Sequence, residues 1–174
     1  LIVLVLLFSF MSPSLFAQNS VKTVVIDAGH GGKDPGCHGK FSKEKHVCLS
    51  MALKLGKLIK AKYPDIQVIY TRDTDVFVEL AERANIANKA KADLFICIHA
   101  NSNESSAPYG TNTFVMGLHK EKENLEVAKK ENSSILMEDD YQVKYEGFDP
   151  KSPEANIILY MYQNAYLDQS LALA

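Results

Sequence analysis

Val24–Gly32, VVIDAGHGG, runs a continuous apolar, β-branched segment straight into a glycine-rich turn that carries His30. An apolar run without polar alternation marks a strand covered on both faces, the usual situation in a parallel sheet. The arrangement recurs at Leu94–Asn101, LFICIHAN, where His99 follows directly on a second strand of the same kind. Between them stands Glu44, at the front of a patterned helix. Two imidazoles and one carboxylate converging on a single ion match the ligand number of a catalytic zinc site, which keeps its fourth position open.

Outward from these two strands the chain alternates. A helix is predicted from Ser42 to about Lys62, with Ser42 as N-cap and Pro64 as the stop. Glu44, Val47, Met51, Leu55 and Leu58 recur at three- and four-residue steps, which places Glu44 on the apolar face. Ile66–Thr71 reads as a strand, Glu79–Ala90 as a helix with Leu80, Ala84 and Ala87 on one face, and Asp93–Ala100 as the third strand. A fourth strand is expected at Thr111–Met116, after the polar loop Asn101–Gly110, followed by helical patterns at about Lys122–Glu138 and Glu154–Ala174. This order is that of an α/β fold: one domain built on a mainly parallel twisted sheet with helices on both faces. In such sheets functional residues collect beyond the carboxyl ends of the strands, where both His30 and His99 fall.

Composition narrows the function. A chain of 174 residues, 47% hydrophobic and 23% charged, can bury one sizeable core. A formal net charge of −2 without a dense Lys/Arg tract gives no electrostatic case for nucleic acid. Leu1–Ala17 is apolar and uncharged and reads as part of a secretory signal peptide, leaving 18–174 as the exported domain without a membrane span; the alternatives are a buried N-terminal strand or a retained anchor. The chain ends inside a helical pattern, so the natural protein is expected to continue past Ala174. Three cysteines without CxxC spacing indicate neither a disulfide framework nor a thiolate zinc site. Cys48 and Cys97 fit core positions, and Cys37 a loop thiol.

The glycine turn also invites a phosphate-binding reading, which fails on spacing. Counted from Gly29 and Gly31, the last glycine of a dinucleotide fingerprint is replaced by Asp34, and Lys33 is followed by Asp34 rather than by Ser or Thr. No G-x-S-x-G nucleophile elbow occurs. Asp27 is placed to orient an imidazole. His38, His46 and His119 read as surface residues, and Arg72 and Arg83 as partners of loop carboxylates or, alternatively, of an acidic substrate.

With these residues assembled, the chain resembles the zinc-dependent N-acetylmuramoyl-L-alanine amidases of amidase family 3. The matching pieces are IDAGHGGKDPG, SKEKHV, YTRDTD, ERANIANKAKADLFICIHAN and AYLDQSLALA, which together span about Val24 to Ala174. The resemblance implies that His30, Glu44 and His99 are the zinc ligands. It implies hydrolysis of the amide between N-acetylmuramic acid and L-alanine in peptidoglycan, in cell-wall remodelling and daughter-cell separation, in the periplasm or outside the cell. In that family the general base is a Glu on a late strand; no such strand follows Thr111–Met116, so the base is expected beyond Ala174. His46 stands where the family commonly has Asp. Some members carry a helical insert over the zinc that an activator protein of the cell envelope displaces; Ser133–Pro153 is a candidate for that cover, or else a solvated linker. The competing functions are a peptidoglycan-binding pseudoenzyme and another zinc hydrolase, a peptidase or deacetylase.

Overall fold

The computed structural model describes residues 21–113 except 104 and 106, together with 130–145 and 167–174. Strand β1, Thr23–Ala28, occupies the centre of a three-stranded sheet between β2, Gln67–Tyr70, and β3, Leu94–Ile98, in the order β2-β1-β3. Both pairings are parallel, with Ile26 opposite Tyr70 on one side and Ile96 on the other. The central position explains the unbroken apolar run: a strand with neighbours on both edges and helices on both faces leaves no side chain for water.

Helix α1, Glu44–Lys62, covers one face, where Cys48 and Ala52 join Val24, Ile26, Ala28 and Val68 in the core, with Leu94, Ile96 and Ile98 packed against them. Helix α2, Leu80–Lys89, lies on the other, where buried Arg83 meets Asp27. The parallel α/β sheet with flanking helices agrees with the sequence reading.

The helix faces require correction. Val47, Met51 and Leu58 are 36%, 46% and 68% exposed, and the buried stripe of α1 is Glu44, Cys48, Ala52 and Gly56. These are small residues one turn apart beyond Glu44, and they bring the helix close against the sheet; at Gly56 the Tyr70 hydroxyl occupies the space a side chain would need. Counting large apolar residues therefore selected a neighbouring stripe, although Glu44 belongs to both. On α2, Ala84 is exposed and Arg83 takes the inward position. Cys48 is buried as expected, but Cys97 is exposed, because along β3 only Leu94, Ile96 and Ile98 point at the α1 core.

Helix α1 begins one residue later than a Ser42 cap would give. Lys43 is the N-cap and makes no side-chain cap bond; the loop supplies the acceptors instead, through Cys37 O to Glu44 N and Pro35 O to Lys45 N. Residues 111–113 carry no regular structure, and the rest of the expected fourth strand lies outside the described residues, as do residues 1–20 with the proposed signal segment. Of the two late helical patterns, residues 130–132 are helical and run into a 3₁₀ turn at Ser133–Met137, a short helix α3 follows at Tyr141–Lys144, and α4 spans Leu167–Leu173. Among the described residues no helix is long and apolar enough to cross a membrane.

Candidate metal centre

His30 leaves β1 in a left-handed backbone conformation, φ 60°, which costs a non-glycine residue about 1–3 kcal/mol and persists only where the surroundings over-determine it. The turn is closed by reciprocal bonds between Gly31 and Asp34: Gly31 N donates to Asp34 O at 2.9 Å and Asp34 N to Gly31 O at 3.0 Å. Asp34 is buried, and its Oδ2 lies 2.8 Å from His30 Nδ1 while Oδ1 accepts from Gly36 N at 3.0 Å. With Nδ1 engaged by a carboxylate, the lone pair of Nε2 is left for the centre of the site. A Cβ on Gly36, whose φ is 62°, would strike both His30 and Glu44, so only glycine lets the loop wrap these two side chains.

Glu44 opens α1 at the sheet's carboxyl edge, and each of its oxygens is held by a backbone amide: Oε2 by Cys37 N at 2.9 Å and Oε1 by Ala100 N at 2.8 Å. His99 follows β3, its ring packed edge-on to that of His30 with centroids 4.8 Å apart. Gly29 makes this possible, since any Cβ there would enter the His99 ring. The structure thus brings together all three residues expected from the sequence. Glu44 Oε2 stands 3.2 Å from His30 Nε2, and Oε1 3.2 Å from His99 Nδ1.

A fourth residue completes the ring. Glu131 Oε2 lies 2.8 Å from His99 Nδ1 and 3.4 Å from His30 Nε2, and one donor atom from each of the four residues falls within 4.8 Å of the others. The electrostatics are those of a cation site. Burial disfavours charge on both imidazoles, yet the bonds to Asp34, Glu131 and Glu44 outweigh it and raise His30 to about 11; His99 is raised as well, by Cys97, Glu131 and Glu44 against its burial. Burial likewise opposes charge on the carboxylates, but the imidazoles carry Glu131 down to about 2 and, with the two backbone amides, hold Glu44 far below the carboxylate range. His30 Nε2 is buried, and although Glu44 and Glu131 oxygens lie 3.2 Å and 3.4 Å away, no group among the described residues meets it with full hydrogen-bond geometry. Two imidazoles and two carboxylates held together around one point fit a divalent metal that accepts nitrogen and oxygen donors and would supply the positive charge otherwise carried by protons on the rings.

Asp27 does not orient an imidazole. It takes Arg83 Nη1 at 2.8 Å, the Thr71 hydroxyl and the Cys97 thiol, because its side chain lies under the strand end rather than beyond it. Asp34 performs that task. Arg83 pairs with a carboxylate, but with Asp27 of β1 rather than one on a loop, whereas Arg72 meets no carboxylate among the described residues and donates to the carbonyls of Ala28, Gly29, Lys45 and Thr74. Burial, followed by the repulsion of Arg83, lowers its pKa. His38 and His46 are exposed, and His119 lies outside the described residues. Cys37 is a free, half-buried thiol whose sulfur accepts from Lys130.

A cleft of about 170 Å³ opens beside the ring, lined in part by His30, Leu80, Arg83, His99 and Glu131. Residues 130–145 form one wall and dock on the start of α2: Glu138, itself buried, accepts from Leu80 N at 2.8 Å and from the Tyr145 hydroxyl at 3.0 Å, and Lys144 pairs with Glu79 at 2.6 Å. The sequence reading missed two site residues. Asp34 could have been found, because a carboxylate four residues after a histidine in a Gly-Lys-Asp-Pro turn can fold back on the ring. Glu131 carried no comparable signal in an acidic helical stretch.

Comparison with known proteins agrees with this geometry. Residues 24–172 match the family described as N-acetylmuramoyl-L-alanine amidase. The endolysin of Bacillus phage SPP1 is 43% identical over 94 residues, 54% of this chain and 34% of that protein. The amidase AmiC of Escherichia coli O6:H1 is 40% identical over 94 residues, 53% of this chain and 22% of that one. The chain therefore spans about a third or less of these curated relatives. Among solved structures, the catalytic domain of CwlV, an N-acetylmuramoyl-L-alanine amidase from Bacillus (Paenibacillus) polymyxa var. colistinus, superposes with a TM-score of 0.52 at 41% identity, covering 62% of this chain and 60% of that one. With a histidine, glutamate and histidine ring at the carboxyl edge of a parallel sheet and a match over nearly all of residues 24–172, the chain belongs to the N-acetylmuramoyl-L-alanine amidase family.

Proposed function

We propose that this protein hydrolyses the amide bond between N-acetylmuramoyl residues and the L-alanine of peptidoglycan stem peptides, with a zinc ion held by His30, Glu44 and His99. The observation that carries the reading is the convergence of these three side chains, with donor atoms within 4.8 Å of one another, around the buried His30 Nε2. Such an ion supplies a Lewis acid for the scissile carbonyl and for a water nucleophile. The protein contributes rigidity: Asp34 fixes the His30 ring, two amides fix the Glu44 carboxylate, and the 3.0 Å bond from Gly29 N to Ile98 O ties the turn of His30 to the strand of His99.

Glu131 holds the fourth position. Its Oε2 lies inside the ring, within reach of both imidazoles, rather than one water further out where a base would stand. This favours a latent form in which residues 130–145 cover the centre until an activator protein of the cell envelope withdraws them. The cover begins three residues before the Ser133–Pro153 segment expected from sequence. Action on peptidoglycan in the periplasm or outside the cell accords with the reading of Leu1–Ala17 as an export signal.

The test is mass spectrometry of purified peptidoglycan digested by the protein in its native reading frame, with and without a zinc chelator. Chelator-sensitive release of stem peptides with free N-terminal alanine, from intact glycan strands, is the expected result. Cleavage inside the peptide would replace this reading with a peptidase.

A further inference from the structure

Three consecutive carbonyls leave β1 towards the metal ligands, and all three are taken by guanidinium groups. Ala28 O accepts from both Arg72 Nε and Arg83 Nη1, each at 2.9 Å; Gly29 O accepts from Arg72 Nη2 at 2.7 Å; His30 O accepts from Arg83 Nη2 at 2.9 Å. The two arginines come from different elements, Arg72 from the end of β2 and Arg83 from α2, and both are buried. Arg72 reaches further, to Lys45 O at 2.9 Å, the peptide next to Glu44. One guanidinium thus spans the turn of His30 and the first turn of the Glu44 helix.

We propose that Arg72 and Arg83 are positioning residues for the metal centre: a two-sided clamp that keeps His30 in its left-handed conformation and sets its distance from Glu44. Two observations converge on this. The strained φ of His30 requires an over-determined backbone, and the clamp bonds its own carbonyl and the two before it. Arg72 also places its charge on carbonyl dipoles alone among the described residues, although Asp73 and Asp75 are close in sequence; a side chain serving only to form an ion pair would be satisfied by a carboxylate. The planar fork matters more than the charge, since lysine presents three donors from one point and cannot reach Gly29 and Lys45 together with Ala28.

The inference rests on the reading of His30, Glu44 and His99 as metal ligands. Its test uses the full chain in four forms: wild type, Arg72→Lys, Arg83→Lys, and Val68→Ala as a core control on the same sheet. Zinc affinity is measured by chelator competition, coordination by the visible spectrum of the cobalt-loaded protein, and folding by thermal melting. The arginine variants are expected to bind zinc about 10- to 100-fold more weakly and to change the cobalt spectrum, the scale typical of residues that support metal ligands. Val68→Ala lowers the melting temperature and leaves both metal readouts at wild-type values. Wild-type zinc affinity and cobalt spectrum in a folded arginine variant overturn the clamp, and so does an equal loss of affinity in Val68→Ala. If Arg72→Lys does not fold, Arg83→Lys decides alone. Failure of the wild type to bind zinc overturns the metal reading, and the clamp with it.

Discussion

Asp34 Oδ2 lies 2.8 Å from His30 Nδ1 and orients the ring so that Nε2 faces Glu44 and Glu131. The pair is local, four residues apart in a turn closed by reciprocal Gly31–Asp34 bonds, so no element beyond the turn is needed to orient the ring. Replacing Asp34 by Ala should lower zinc affinity about 10- to 100-fold while leaving the sheet intact. Competition with a chromogenic chelator measures the first effect and circular dichroism the second; unchanged affinity would assign the ring's orientation to packing alone.

Glu131 separates a blocking ligand from a catalytic base by the sign of one change. On the proposed latent form it would compete with substrate and water, so Glu131→Gln should raise the rate of peptidoglycan digestion without an activator. A base would behave oppositely, its loss costing about 10²–10⁴-fold. Dye release from labelled cell walls reads either direction.

Residues 130–145 are held on α2, at a distance from the ring, by Glu138, which accepts from Leu80 N and the Tyr145 hydroxyl. Glu138→Ala leaves both donors without this acceptor and should weaken docking by about 1–3 kcal/mol. Limited proteolysis should then cut within residues 130–145 faster than in the wild type, while β1 and α1 stay protected; equal cutting rates would mean that other contacts hold the segment.

Acid stability should carry the signature of Asp93. Backbone amides of Lys22 and Thr23 bond its carboxylate and lower its pKa below the unfolded value. A depressed folded pKa contributes stability above the unfolded value of about 3.9, and that contribution is lost as pH falls through the folded pKa. Asp93→Asn should therefore be less stable than wild type at pH 7, with the two curves converging below about pH 4 in urea titrations. A constant gap across that range would assign the loss to the amide geometry rather than to charge.

Gly56 offers a test of packing. Gly→Ala in a helix interior ordinarily stabilises, but here the new methyl meets the Tyr70 hydroxyl, so Gly56→Ala should destabilise by about 1–3 kcal/mol. Pairing it with Tyr70→Phe should recover part of the loss in chemical denaturation.

These cases show what the sequence could and could not convey. The central strand was readable because burial on both faces leaves an unbroken apolar run, and His30 and His99 were readable because they follow directly on such runs. Glu44 emerged from helical periodicity even though the stripe was read one position off, since Cys48, Ala52 and Gly56 are too small to weigh in an apolar count. Asp27 was assigned to a histidine by adjacency, whereas the alternation of β1 turns it under the sheet towards Arg83. Glu131 is a long-range contact, 101 positions from His30, and no local pattern encodes it.

The most direct test of the metal reading is the zinc content of the purified full chain beside His30→Ala, Glu44→Ala and His99→Ala, by inductively coupled plasma mass spectrometry after dialysis. One zinc per wild-type chain, lost in each of the three folded variants, is the predicted result. Zinc retained at full stoichiometry in Glu44→Ala, or no zinc in the wild type, would contradict it.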